Sequence, residues 1–311
     1  MVRSFVTAFI VAVSLAHFPH SAFAQERFSI FVGSAQENVD RMIRIAQLRD
    51  NDVVIDLGSG DGRIVLTAAK ANGKLKGWGV DIDEKLVRES NAEAKKLGVA
   101  DRIQFYQRDV FDTDLRGATV ITMWMWPEMQ RMLRTKILAE ATPGTRVLSN
   151  IWDMGSAWPA DKVDTFENSS VFLWIVPARV QGYWTWELDY AGTKRKYDAV
   201  LEQYFQKAEG VVRNGTRRGV LEKMTLRGAD ISFTLAMTLE GAGLVTHTFS
   251  GRASDSEIVG TVKMQRIVNE ETEVIELPWH AVRTAISAYF SPTGAQPAQA
   301  MEPAKAGGKK P

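Results

Sequence analysis

One run of eight residues constrains this chain more than any other: Asp56-Leu57-Gly58-Ser59-Gly60-Asp61-Gly62-Arg63. It follows a short β-branched run at 52–56 and precedes a helical pattern at 64–70. A glycine-rich turn between a strand and a helix is the context a nucleotide-binding loop needs. Glycine lets the backbone take positive φ and come close to a ligand. An acidic residue ending the next strand would hold ribose hydroxyls, and Asp81 lies 23 residues after Gly58, near the usual spacing of about 20.

The loop also discriminates between nucleotides. Its pattern is GxGxG, and Arg63 stands where a dinucleotide fingerprint wants its third glycine. It carries two carboxylates, Asp56 and Asp61. Carboxylates repel a pyrophosphate and suit a cation. S-adenosylmethionine has an ammonium, a sulfonium and no phosphate, so the loop favours it over NAD. The expected cofactor residues are Asp56, Gly58, Ser59, Gly60, Asp61, Gly62 and Asp81. Asp109, just past the third strand pattern, is placed to accept a hydrogen bond from the adenine amino group.

Around the loop, strand and helix patterns alternate. Strands are expected at 52–56, 76–82, 102–107, 118–125 and 146–151, and helices at 34–48, 64–70, 84–97 and 128–140. Repeated β-α units imply a parallel sheet with helices on both faces. Residues 162–166 and 171–176 read as a hairpin closing it. The second half changes period. Trp184, Trp186, Leu188 and Tyr190 alternate with Thr185, Glu187 and Asp189, and Ile231, Phe233, Leu235 and Met237 alternate with polar or small residues. Period 2 with glycine turns implies an antiparallel sheet with one buried face. The expected domains are an α/β domain at 25–180 and an antiparallel β-domain at 181–290. The strand alternation is readable to about 267, and 197–208 reads as strand.

The ends differ from both. Residues 1–24 read as a secretory signal: Arg3, an uncharged apolar stretch at 5–16, and Ala22-Phe23-Ala24 before Gln25. The apolar run is shorter than the roughly 20 residues a span needs. An uncleaved membrane tether is the alternative. Residues 291–311, rich in Pro, Ala, Gly and Lys, read as a disordered tail. The formal net charge of +1 is unevenly spread. Arg3 supplies one positive charge, and Lys305, Lys309 and Lys310 against Glu302 supply two, so residues 25–290 carry about −2. That argues against a nucleic-acid partner. There is no cysteine, which excludes thiolate chemistry, and only four histidines. No metal site is expected. His247 reads as structural, and His280 has no evident partner.

Asp-Leu-Gly-Ser-Gly-Asp-Gly-Arg at 56–63 resembles motif I of class I S-adenosylmethionine-dependent methyltransferases. Residues 31–36, 56–66, 79–83, 108–110, 126–129 and 143–149 resemble one group within them. These are the protein-lysine methyltransferases related to the mitochondrial enzymes acting on ATP synthase and on the adenine nucleotide translocase. The similarity spans 31–162. It implies the seven-stranded Rossmann-like methyltransferase sheet, with cofactor at the carboxyl ends of the first strands. The β-domain has no counterpart in those mitochondrial enzymes.

Methyl transfer is an in-line displacement governed by positioning. The acceptor is expected near the ends of the fourth and fifth strands, where Trp124, Trp126, Pro127, Trp152, Asp153 and Trp158 fall. Aromatic walls hold an ammonium by cation–π contact. Trp126 and Pro127 are therefore expected to line the acceptor pocket, and Asp153 to orient the amine or take its proton. The expected acceptor is a protein lysine, membrane proteins included. The alternatives are a small-molecule or lipid acceptor, or an exported binding protein without turnover. An exported enzyme would be separated from cofactor made inside the cell.

Overall fold

A computed structural model describes residues 32–285. The expected signal at 1–24 and tail at 291–311 lie outside the described residues. Among the described residues no helix is long and apolar enough to cross a membrane.

The first half forms a seven-stranded sheet. In chain order its elements are α1 (Gln36–Ala46), β1 (Val53–Leu57), α2 (Arg63–Ala71), β2 (Lys76–Asp81), α3 (Glu84–Lys96), β3 (Ile103–Gln107), the 3-10 turn η1 (Val110–Asp112), β4 (Val120–Met123), α4 (Pro127–Glu140), β5 (Arg146–Asn150), β6 (Lys162–Phe166) and β7 (Ser169–Ile175). The strand order is β3-β2-β1-β4-β5-β7-β6. β1 to β5 pair in parallel, and β7 runs antiparallel between β5 and β6. This is the expected methyltransferase sheet. One face buries Val39, Met42 and Ile45 of α1, Val65 and Ala69 of α2, and Val87 of α3. The other buries Leu133 and Ile137 of α4 with Met154, Trp158 and Trp174. Helices on both faces explain why β1, β4 and β5 are buried almost throughout.

A buried ion pair ties the base of this layer. The Arg146 guanidinium bonds to the Asp52 carboxylate and donates from Nη1 to the carbonyls of Ala46 (2.6 Å) and Gln47 (2.7 Å). Asp52 also accepts from Thr119 Oγ1 at 2.7 Å. One guanidinium thus satisfies the end of α1 and joins it to β1 and β5.

The second half is a nine-stranded antiparallel sheet: β8 (Gly182–Tyr190), β9 (Thr193–Tyr204), β10 (Lys207–Asn214), β11 (Arg217–Val220), β12 (Glu222–Arg227), β13 (Asp230–Leu239), β14 (Gly243–Ala253), β15 (Glu257–Val268) and β16 (Glu271–Ala285). Its order is β11-β10-β9-β8-β16-β15-β14-β13-β12. The two edges curl together, with Gly219 of β11 packed on the Leu235 side chain of β13, giving a nearly closed barrel. The expected stretch 197–208 is strand but is divided by a turn at 205–206. β16 lies beyond the alternation readable in the sequence. Pro278 interrupts that run, yet it pairs with Thr261 in register while Trp279 and Ala281 point inward.

The barrel interior is aromatic. Trp184, Trp186, Phe233, Phe249 and Trp279 are buried together, and Trp186 stacks on Tyr197 at 5.5 Å. His247 is fully buried there, as expected of a structural residue. Its Nε2 accepts from the Tyr197 hydroxyl and its Nδ1–H donates to the Leu235 carbonyl, each at 3.1 Å. A neutral imidazole protonated at Nδ1 satisfies both partners. Burial pushes its pKa down to about 4, against the pull of its backbone acceptors, with Arg195 adding to the fall. His280, expected to lack a partner, instead meets Glu257 Oε2 at 2.9 Å, because β15 and β16 pair side by side.

The buried imidazole makes stability depend on pH. Between the unfolded pKa of about 6.5 and the folded value of about 4, only the unfolded chain binds the proton. The contribution of His247 is therefore full above pH 6.5 and falls by roughly 3 kcal/mol as pH drops to 4, while the raised carboxyl of Asp56 acts with the opposite sign over the same window. In urea unfolding across that window, the difference in stability between wild type and His247→Gln should follow this slope.

Candidate active site

The glycine loop sits at the carboxyl end of β1. Gly58, Gly60 and Gly62 all have positive φ, +75°, +53° and +76°. At Gly62 the need is double: it caps α2 in the left-handed region, and a Cβ there would lie 2.6 Å from the Phe105 ring. The N–H groups of Gly58 and Ser59 both donate to the Val80 carbonyl at 2.9 Å. The Asp81 carboxylate accepts from Gly60 N at 2.8 Å and from Asp83 N at 2.9 Å. Its orientation at the tip of β2 is therefore fixed, and each oxygen retains a lone pair for a ligand. Asp109, at the end of β3, accepts from Phe111 N at 2.9 Å and caps η1.

Asp56 and Asp61 differ sharply. Asp56 is buried, and Thr122 Oγ1 donates to it at 2.7 Å. Burial pushes its carboxyl up to about 7; the Thr122 hydrogen bond opposes this, and the charges of Asp81 and Asp61 add to it. Asp61 is partly buried, which alone would raise its pKa, but hydrogen bonds from Arg63 hold it below the ordinary carboxylate range. Arg63 Nε spans both Asp61 oxygens at 2.9 and 3.0 Å, and Nη1 donates to the Ser34 carbonyl at 2.6 Å.

These residues fit a cationic nucleoside. Asp56 Oδ2 and Ser59 Oγ are buried without a hydrogen-bond partner among the described residues. The guanidinium nearest the loop, Arg63, is committed to Asp61 and Ser34. The loop thus presents carboxylates and bare glycine backbone, a poor cradle for a pyrophosphate.

The residues expected to line the acceptor pocket lie at the ends of β4 and β5. Trp126 is 51% exposed and Trp152 41% exposed. Their rings stack at 6.4 Å with planes 29° apart. Pro127 starts α4 at its first position, where a missing N–H costs nothing. Gln130, fully buried, donates to the Met125 carbonyl at 2.8 Å and fixes the approach to Trp126. Asp153 is exposed beside Trp152, and its Oδ1 accepts from Gly155 N at 2.9 Å. Trp124 is half-buried. Trp158, grouped with the rim on sequence grounds, is instead wholly buried: it packs on Trp174 and Phe205 in the core.

Sequence reasoning missed what holds Trp152. Ile151 has φ +67°, and Trp152 N donates to the Asn150 carbonyl at 2.8 Å, the two-residue closure of a γ-turn. A β-branched residue at positive φ is strained. The strain is held by Asn150, which is fully buried. Its Nδ2 donates to Ser34 Oγ at 3.1 Å, and its Oδ1 accepts from Asn38 Nδ2 at 2.9 Å. Ser149 Oγ donates to the Trp152 carbonyl at 2.8 Å. Ser34 lay within the family-like segment at 31–36, but nothing in the sequence marks Asn150 or Ile151.

The sheet order, the glycine loop and the carboxylate at the end of β2 define a Rossmann-like methyltransferase domain, and the comparisons agree. A family model described as "ANTKMT methyltransferase domain" matches residues 56–162. The protein-lysine N-methyltransferase of Saccharolobus islandicus is 36% identical over 149 residues, which are 47% of this chain and 92% of that protein. The chain belongs to the family of that methyltransferase, and S-adenosylmethionine is its cofactor. The adenine nucleotide translocase lysine N-methyltransferase of Mus musculus is 29% identical over 119 residues, 38% of this chain and 51% of that enzyme. A lysine N-methyltransferase of Rattus norvegicus named for ATP synthase is 31% identical over the same length and is covered to 54%. The chain thus spans about half the length of these two relatives. A solved structure of an RNA methyltransferase from Salinibacter ruber with S-adenosyl-L-homocysteine is 40% identical, covering 46% of this chain and 93% of that one, with a TM-score of 0.45.

Asp81→Ala should weaken S-adenosylhomocysteine binding by roughly 10- to 100-fold, the loss of a charged hydrogen-bond acceptor. Titration calorimetry reads this directly, and far-UV circular dichroism should show the fold retained.

Proposed function

We propose that this chain transfers a methyl group to the side-chain amine of a protein lysine. The observation that carries this reading is the exposed, stacked pair Trp126–Trp152 at the ends of β4 and β5, with the exposed Asp153 next to Trp152 in the chain. Its support from relatives is that three of them are named as lysine methyltransferases.

When bound, S-adenosylmethionine supplies a methyl group on a sulfonium, a good leaving group. Asp81 would hold the ribose hydroxyls and Asp109 the adenine amino group. The bare backbone of Gly58, Gly60 and Gly62, with Ser59, Asp56 and Asp61, would take the amino-acid end. Trp126 and Trp152 would receive the lysine ammonium by cation–π contact, and the methylene stem would lie against Pro127. Desolvation against the indoles would lower the pKa of the amine and favour loss of its proton, opposing the cation–π contact that favours the charged form. Asp153 would orient the amine and accept that proton at its free carboxylate oxygen. No covalent intermediate is needed, so the protein's task is alignment at near-attack distance.

The test uses tritiated methyl donor and an extract of the host cells. Label should appear in acid-precipitable protein and be recovered as methyl-lysine after hydrolysis. Trp126→Ala with Trp152→Ala should cut incorporation by about tenfold or more, since each cation–π wall contributes about 0.5–2 kcal/mol. The affinity for S-adenosylhomocysteine should be unchanged. Label in an organic extract would instead identify a lipid or small-molecule acceptor.

This reading includes export or membrane tethering through residues 1–24. Fractionation of a C-terminally tagged chain, followed by N-terminal sequencing, should give a chain beginning at Gln25 outside the inner membrane. A cytosolic chain beginning at its first residues would refute export.

A further inference from the structure

The barrel touches the methyltransferase sheet's own loops at the turn between β9 and β10. Phe205, in that turn, stacks on Trp158 at 5.6 Å with planes 16° apart. Gln206 Nε2 donates to the Pro159 carbonyl at 2.7 Å. Arg134 of α4 lies 5.6 Å from the Phe205 ring centroid and donates from Nη1 to the Met154 carbonyl at 2.9 Å. The segment these contacts grip, 154–159, directly follows Trp152 and Asp153. Arg134 belongs to the helix that follows Trp126. Three pieces therefore meet at one guanidinium: the helix behind Trp126, the loop behind Trp152, and the barrel turn.

The turn is built to hold. Phe205 has φ +54°, an unfavourable conformation for an aromatic residue. Gln203 pins it, donating from Nε2 to the Phe205 carbonyl at 2.7 Å and to the Ala178 carbonyl at 2.9 Å, while its Oε1 accepts from Val180 N at 2.7 Å. The loop it supports needs support. Residues 151–161 join β5 to β6 with no helix or strand of their own, and they begin on the strained Ile151. Met154 and Trp158 anchor them in the core, and the Trp158 ring stacks on the barrel residue Phe205.

We propose that the barrel is the outer support of the acceptor wall, with Phe205 and Gln206 as positioning residues for Trp152 and Asp153. The functional meaning rests on the lysine-acceptor reading above; the mechanical coupling does not. Through Trp158 and the turn closed by Trp158 N on the Gly155 carbonyl (3.1 Å), the barrel sets where Asp153 and Trp152 stand relative to Trp126.

The experiment needs no acceptor. A stacked indole pair gives an exciton couplet in far-UV circular dichroism, assigned here as the difference between wild type and Trp126→Phe. Phe205→Ala should lose most of that couplet. Hydrogen exchange over 152–158 should rise about tenfold, reflecting local opening. Calorimetry with S-adenosylhomocysteine should give an unchanged affinity, and exchange in 56–63 and in the barrel strands should match wild type. Phe205→Tyr should restore the couplet. Gln206→Ala, a milder change, carries the same readouts should Phe205→Ala fail to fold. A variant with wild-type couplet and wild-type exchange at 152–158 would overturn the proposal. So would a loss spread equally over the barrel and 56–63, which would make Phe205 only a fold residue. If the coupling holds while labelling finds no methyl-lysine, it is the acceptor reading that fails.

Discussion

The buried amide of Asn150 is the point on which both halves of the active site depend. It ends β5, the strand from which the acceptor loop departs, and it bonds to Ser34 and Asn38 at the entry to α1. Ser34 in turn takes its carbonyl bond from Arg63, which grips Asp61 in the cofactor loop. Glycine loop, N-terminal segment and the proposed acceptor wall are therefore linked by consecutive hydrogen bonds. Such a network is valuable only if every member is satisfied, because an unpaired amide in this interior costs as much as several surface bonds return. The same network holds Ile151 in a conformation that an unsupported chain would leave.

The parts of this molecule that could be read from sequence are those where local chemistry and periodicity agree. Glycines at 58, 60 and 62 announced a tight turn, and Asp81 followed at the spacing that parallel pairing of β1 and β2 requires. Alternation of Trp184, Trp186 and Leu188 announced the barrel wall. The parts that stayed hidden depend on tertiary placement. Trp158 and Trp152 have the same composition cue, yet one is wholly buried and the other is rim, because the first packs on Trp174 and Phe205 in the core. Asn150 and Ile151 follow a strand pattern with no signal that one is buried and the other strained. Pro278 hid β16, since a proline in a strand ordinarily argues against it.

Electrostatics around the loop follow from the same packing. Four carboxylates approach the end of the central strands, and the nearest guanidinium is committed to one of them. Asp56, shielded from water, has a carboxyl raised to about 7 and so is close to half protonated at neutral pH. A cation brought near it would favour the ionised form. The site's charge is thus matched to a positively charged nucleoside before any ligand arrives.

This chain has no cysteine, and both histidines among its described residues already have partners: His247 as a buried neutral strut, His280 beside Glu257. A displacement reaction tolerates that poverty, because its rate depends on alignment more than on strong acids or bases. It does not tolerate a loose wall. An error of about 1 Å in placing the reacting groups can cost on the order of a hundredfold. The acceptor loop here has no secondary structure of its own and begins on a strained residue. Rigidity must then come from outside the loop, from the Asn150 network on one side and from a well-packed neighbour on the other. A nearly closed antiparallel barrel, dense with aromatic rings, is a stiff body with few exposed edges. In the support role proposed for it, that stiffness reaches the loop through the turn between β9 and β10.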